Sequence, residues 1–238
     1  MKTRILILLL FPICAFAQMH TEYWAPGKKK SEGKTLNGQN DSVWTYWYEN
    51  GMISGRITYK DGKMNGKFIY YFGNGKVMQS GYAVNDAQND TMTNYYVSGM
   101  LKSRYFYKDS KMTGPYNEYY ENGIMRLVAF YKNNELDSSY TFYNVDGKRS
   151  YEKHFKNGKH NGLTTYWNND GTVYWQSTFK DGLQDGMNTT WFSNGQKESE
   201  GMYENGKQVG DWKYWGENGK LIKTEKYKDG ILIGTKNK

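Results

Sequence analysis

Aromatic and β-branched residues fall along the chain in short runs, each cut off by a turn-forming dipeptide, as in SVWTYWYENGMISGRITYKDGKMN at residues 42–65. The runs between corners are about seven and about nine residues long, which suits strands, and none sustains a helical period. Asn-Gly or Asp-Gly between such runs signals a hairpin, because a primed two-residue turn needs φ > 0 at both central residues. Each unit therefore predicts one β-hairpin, with a second corner that hands the chain to the next.

The pattern returns every 24 residues without insertion or deletion. Eight units result: 42–65, 66–89, 90–113, 114–137, 138–161, 162–185, 186–209 and 210–233. Nine residues into each stands a glycine, from Gly51 to Gly219, preceded by Asn, Asp or once Ser98; nineteen residues in stands Asn or Asp, from Asp61 to Asp229. Fixed-period self-similarity marks a repeat architecture. The expected fold is all-β: an elongated, twisted antiparallel meander of sixteen strands, about 75 Å long at ~4.8 Å per strand. Residues 18–41 follow the frame loosely through Tyr23, Gly27 and Gly38, while Pro26 and the run Lys28–Lys30 break it, so they read as a degenerate N-terminal cap. Residues 234–238 read as a lysine-rich tail. Asp90, Ser110 and Ser138 replace glycines, which predicts a bend or loosening around residues 85–140.

Counting the first residue of a unit as zero, a two- or four-residue first corner pairs position n with 17 − n. The starting residue then faces Tyr59, Ala83, Tyr107, Tyr131, Phe155, Phe179, Tyr203 or Tyr227, which suggests a ring lying over a glycine. The same face collects Trp44, Tyr46, Phe68, Tyr70, Tyr166, Trp212 and Tyr214, with Ile53, Val77, Leu101, Met125, Val173 and Leu221 across from them. The other face carries an aromatic stripe: Trp47, Tyr71, Tyr95, Tyr119, Tyr143, Trp167, Trp191 and Trp215. A three-residue bulged corner would move these faces. Rings on both sides predict a single-layer or lightly covered sheet held by cross-strand aromatic contacts, each worth roughly 0.2–1 kcal/mol.

Composition agrees with a thin sheet. The chain is 37% hydrophobic with 17% aromatic and a mean hydropathy of −0.90, and it holds 23 Tyr and 27 Gly but only 3 Pro. Residues 1–17 have the three parts of an export signal: Lys2 and Arg4, an apolar stretch Ile5–Cys14, and Ala15-Phe16-Ala17 before Gln18. The stretch is too short to span a bilayer. Cleavage removes the single cysteine, Cys14, and with it any disulfide or thiol chemistry. It also lowers the net charge from +8 to +6, spread along the chain, so a nucleic-acid partner is not expected.

The unit G-x-W-x-Y-W-x-x-N-G followed by Y-x-x-G-x-x-x-G, seen at Gly210–Gly234 and Gly66–Asn89, resembles the MORN-repeat variant of bacterial proteins labelled YwqK-family antitoxins. The resemblance covers residues 42–238. It implies a non-enzymatic hairpin array used for protein or membrane contact, with no catalytic residues to carry over. A toxin-neutralising role would place the protein in the cytoplasm, against the export signal.

No nucleotide-binding glycine motif, nucleophile elbow or metal-ligand spacing occurs, so neither enzyme activity nor a cofactor or metal is expected. His154 and His160 read as surface histidines, and the pair Glu198 and Glu200 as a solvated strand edge. Two features carry functional readings. Lys60, Lys108, Lys132, Lys156, Lys180 and Lys228 recur at one position as a ladder about 10 Å apart, which either guards the sheet against aggregation or meets an anionic surface. The aromatic stripe either holds the sheet together or stacks on sugars or a peptide. The leading expectation is an exported scaffold that binds a protein partner. Alternatives are a binder of envelope glycan or anionic lipid, and a toxin-neutralising protein if Met1–Ala17 is retained.

Overall fold

The computed structural model describes residues 16–24 and 27–238, so all but the last two residues of the export signal lie outside it. The described residues form one antiparallel sheet of twenty strands and no helix. In chain order these are β1 (Ala17–Tyr23), β2 (Lys29–Leu36), β3 (Gln39–Trp47), β4 (Ile53–Lys60), β5 (Lys63–Tyr71), β6 (Val77–Val84), β7 (Ala87–Tyr95), β8 (Leu101–Lys108), β9 (Lys111–Tyr119), β10 (Met125–Lys132), β11 (Glu135–Tyr143), β12 (Arg149–Lys156), β13 (Lys159–His160), β14 (Gly162–Trp167), β15 (Val173–Lys180), β16 (Leu183–Trp191), β17 (Lys197–Glu204), β18 (Lys207–Trp215), β19 (Leu221–Lys228) and β20 (Ile231–Asn237). Each strand pairs only with its neighbours along the chain, β13 and β14 being one strand interrupted at Asn161. Residues 17–36 form a regular hairpin in the repeat frame, with Gln18 opposite Thr35 as Ser42 is opposite Tyr59. The residues after Asp229-Gly230 form a strand paired with β19. The ladder runs unbroken through residues 85–140; the interruption lies at Asn161, and the replaced glycines there are tolerated because Asp90 (φ 66°), Ser110 (60°) and Ser138 (90°) adopt positive φ themselves.

The two corners of each unit differ in type. At the second corner both central residues have positive φ, as in Asp61 (50°) and Gly62 (77°), which is the expected primed turn. At the first corner only the glycine does. Tyr48 N–H donates to the Met52 carbonyl and Gly51 N–H to the Tyr48 carbonyl, so a three-residue loop ends in left-handed Gly51 (87°). The same pair of bonds recurs in all eight units. Asn50 precedes the glycine because its Oδ1 accepts the Met52 N–H at 3.0 Å; Asp170 does the same for Thr172 at 2.8 Å. Asparagine adds a second bond that aspartate lacks, since Asn74 and Asn194 donate through Nδ2 to carbonyls of the following unit. Tyr48, Tyr96 and Tyr120 tie units along the same margin by donating to the carbonyls of Tyr71, Tyr119 and Tyr143. Along the opposite margin, Gly62 N–H donates to the Asn40 carbonyl of the unit before, and this bond also recurs at every second corner.

The three-residue corner changes the register. Ser42–Tyr46 pair as expected with Tyr59–Gly55, but Trp47 then pairs with Ile53, leaving Ser54 as a bulge. The aliphatic row Ile53, Val77, Leu101, Met125, Val173 and Leu221 therefore lies opposite the aromatic stripe on the second face, not among the rings of the first. A second bulge separates successive units. Ile57 pairs with Phe68 and Tyr59 with Met64, so the segment containing Gly66 (φ 131°) bows out opposite Thr58. Every starting residue of the eight units has positive φ here, which explains its glycine. Shielding by a ring does not: a Cβ on Gly114 or Gly210 would meet nothing within 4 Å.

Rings do cover glycines, at another position. Trp44 lies over Gly33 and Trp212 over Gly201, where the bulge leaves the strand thin; each indole Nε1 donates to the next carbonyl, Lys34 at 2.9 Å and Met202 at 3.2 Å. Phe68 and Met92 cover Gly81 in the same way and join Ile57 and Ala83 in the most enclosed cluster. All of these belong to the first face, as do the ring contacts from Trp44–Tyr59 (6.4 Å) through Tyr140–Tyr151 (6.1 Å) to Trp212–Tyr227 (6.2 Å). One face thus supplies the core of a sheet that has no second layer.

Replacing Gly201 with Ala drives a methyl into the Trp212 indole. The expected loss is about 1–3 kcal/mol, read as a lower urea midpoint. Gly73→Ala, where an added Cβ meets nothing within 4 Å, is expected to leave the midpoint within about 0.5 kcal/mol of the parent. Equal midpoints for the two variants would contradict the ring-over-glycine packing.

Candidate interaction surface

The first face is closed on itself chemically as well as sterically. Burial pushes the hydroxyls of Tyr116 and Tyr140 up to about 12, and raises those of Tyr46 and Tyr214 further, with hydrogen bonds from Tyr59 and Tyr227 adding to burial in the latter two. Tyr46 and Tyr59 share a bond of 3.1 Å. Burial thus makes proton loss from these four hydroxyls harder, and the face offers little unspent polarity.

His160 belongs to this face, and the expectation that it is a surface residue is corrected. It lies between the rings of Phe155 (5.3 Å) and Phe179 (3.8 Å), with Nε2 against the buried Thr164 hydroxyl. Burial, then the charges of Lys153 and His154, hold its pKa below 6.5. His154 is more open, with Nδ1 at 2.7 Å from the Leu163 carbonyl. Of the acidic pair, Glu198 is exposed and Glu200 is bridged by Lys197. Among the described residues no group of three His, Cys, Asp or Glu side chains converges as a metal site would require.

The second face is different. All six ladder lysines, Lys60, Lys108, Lys132, Lys156, Lys180 and Lys228, are exposed, and none is within 4 Å of a carboxylate among the described residues. They stand just before the second corner, on interior strands whose two edges are both paired. Guarding a free strand edge is therefore not their task. Three of them directly oppose another lysine: Lys60 with Lys63, Lys108 with Lys111, and Lys156 with Lys159. Like charges placed opposite each other destabilise a hairpin. These pairs recur at every second unit, about 19 Å apart at four strand spacings.

The stripe residues Trp47, Tyr71, Tyr95, Tyr119, Tyr143, Trp167, Trp191 and Trp215 are all half-buried on this face. No two of their rings are in contact among the described residues. Instead the aliphatic row lies between them, and where that row turns basic the cation sits over the next ring: Lys29 on Trp47 (5.7 Å), Arg149 on Trp167 (5.8 Å) and Lys197 on Trp215 (5.8 Å). The stripe is a mixed ladder that covers its own half of the face, and it brings no open stacking platform together.

Sequence reasoning missed a third row. Between stripe and lysines run exposed apolar side chains, Val43, Tyr82, Phe130, Leu163, Met187 and Met202, each more than 40% exposed. The signal was present: they alternate with first-face positions, so a correct register puts them outward. The unit-to-unit bulges open hollows in this row. One, of about 640 Å³, is lined by Lys156, Lys159, Lys180, Asn161 and Thr178; another, of about 370 Å³, by Phe106, Gly114, Pro115, Thr91 and Arg104.

The comparison with protein-family models matches the MORN repeat variant at residues 40–61, 112–133, 184–205 and 208–229. A search of curated proteins gave no match. The matched segments begin 72, 72 and 24 residues apart, whole multiples of the 24-residue unit, and three of them contain a ladder lysine, Lys60, Lys132 or Lys228, while the one at 184–205 has Glu204 in that place.

Because folding lowers the pKa of His160, the unfolded chain takes up the proton first. Its contribution to stability is intact above pH 6.5 and is lost as the pH falls from 6.5 through the lower folded value. The urea midpoint is expected to drop between about pH 7.5 and about pH 5.5, and to drop less in His160→Phe. An identical pH slope in both proteins would contradict this. With its corners, bulges and family matches all in one frame, the chain is a 24-residue β-hairpin repeat protein, four segments of which match the MORN repeat variant.

Proposed function

We propose that this repeat protein is an exported, non-catalytic scaffold that engages a protein partner through its second face. The observation that carries the reading is the contrast between the faces. The first spends its rings and hydroxyls on itself, while the second keeps six unneutralised lysines beside an apolar row. Interfaces combine an apolar centre with a charged rim that steers approach, and this face has both.

Sheet twist favours a polypeptide over a flat anionic surface. Adjacent strands rotate by roughly 20–25°, so lysines one unit apart diverge by about 45°, and the ladder from Lys60 to Lys228 turns on the order of 300°. A planar bilayer meets two or three of these charges together; a chain that follows the twist meets them in series. Export rests on the signal features of Met1–Ala17.

The test is capture from the native envelope at about 0.15 M salt, the ionic strength at which exposed charges are partly screened. The full chain is compared with the triple variant Lys60→Glu, Lys108→Glu, Lys156→Glu. The expected result is a discrete protein retained by the parent and lost by the variant, on a bait whose mass begins at Gln18. Equal retention by both, capture of polysaccharide or lipid alone, or a bait that keeps Met1–Ala17 would contradict the reading.

A further inference from the structure

We infer that the hollow between Phe106 and Pro115, with the lysine pair beside it, is a docking site for an extended acidic segment of a partner protein that carries one large apolar anchor. This rests on the scaffold reading and names the chemistry of its partner. The hollow exists because the ladder between β8 and β9 skips: Tyr105 pairs with Tyr116 and Tyr107 with Met112, so Phe106 has no partner opposite Thr113–Pro115. Gly114 (φ 89°) supplies no side chain to fill the gap, and a Cβ placed there meets nothing within 4 Å. Pro115 contributes no N–H, which an interior strand tolerates only at such a bulge. Across β9, Pro115 faces Phe130, which is 41% exposed. Phe106 and Pro115 thus line an apolar recess of about 370 Å³, at the small end for ligand sites and suited to a single side chain, and exposed Phe130 stands beside Pro115 on the neighbouring strand.

The charge around the recess selects the rest of the partner. Lys108 and Lys111 oppose each other across the Asp109-Ser110 corner, and Arg104 lines the hollow. Lys132 stands one unit on and faces Glu135. Asp90, Asp109 and Glu135 are carboxylates near these four cations, and among the described residues none of the three is within 4 Å of one of them. A carboxylate between Lys108 and Lys111 would replace their mutual repulsion with two attractions. The strands are already paired on both edges, so the segment binds by side chains and does not add a strand to the sheet.

The test uses the chain from Gln18 to Lys238 and fluorescein-labelled ten-residue peptides, read by fluorescence polarisation. One is Glu-rich with a central Phe, one has Glu throughout, and one is Lys-rich with a central Phe. Only the first is expected to bind well, with affinity that falls as salt rises. Lys108→Gln with Lys111→Gln is expected to weaken it about tenfold, and Phe130→Ser about threefold, with circular dichroism unchanged. Equal binding of the all-Glu or Lys-rich peptide, unaltered affinity in both variants, or no binding of any peptide would overturn the site. Binding of phosphatidylglycerol vesicles with the same dependence on these residues would assign it to lipid and likewise overturn it. Failure here with successful envelope capture would refute this site alone; failure of both would refute the scaffold reading too.

Discussion

A sheet without a second layer has to find its cohesion between neighbouring strands, and everything else in this protein follows from that constraint. Each strand must satisfy its backbone with the strands before and after it in the chain, so the corners have to return the chain at a fixed spacing every time. That requirement explains the two corner types, the positive φ at Gly51 and Asp61, and the hydrogen bonds that link corner to corner along both margins. It also explains why the units cannot be separated. Each one completes its bonding only through the next, as in other repeat arrays.

Core formation is the second consequence. With no facing layer, burial is reached by laying long side chains flat across the same sheet, and bulges make room for them. Trp44 and Trp212 fill the thin places at Gly33 and Gly201 and return a hydrogen bond to the carbonyl beside each. The result is asymmetric. One face becomes the core, and the other is free to carry charge and apolar groups that the fold itself does not use.

Much of this was legible in the residues. Period, strand number per unit, pairing of Ser42 with Tyr59 and the single-layer architecture follow from the spacing of Asn-Gly and Asp-Gly between aromatic runs. The first corner was not, because Glu49-Asn50-Gly51 and Asp61-Gly62 share the same dipeptide chemistry while only their backbone bonding separates a three-residue loop from a two-residue one. That one-residue difference moved Ile53 and its equivalents to the other face. For the surface, the ladder lysines were visible as a column, but their opposition to Lys63, Lys111 and Lys159 needed the register, and the hollow at Phe106 needed the bulge.

Small-angle X-ray scattering of the chain from Gln18 tests the central claim most directly. Nineteen strand positions at ~4.8 Å make a ribbon about 85–90 Å long, for which the radius of gyration is about 26 Å. A value near 26 Å with a long-tailed distance distribution is the predicted result; a value near 18 Å, as a compact domain of this length gives, would contradict the single open sheet.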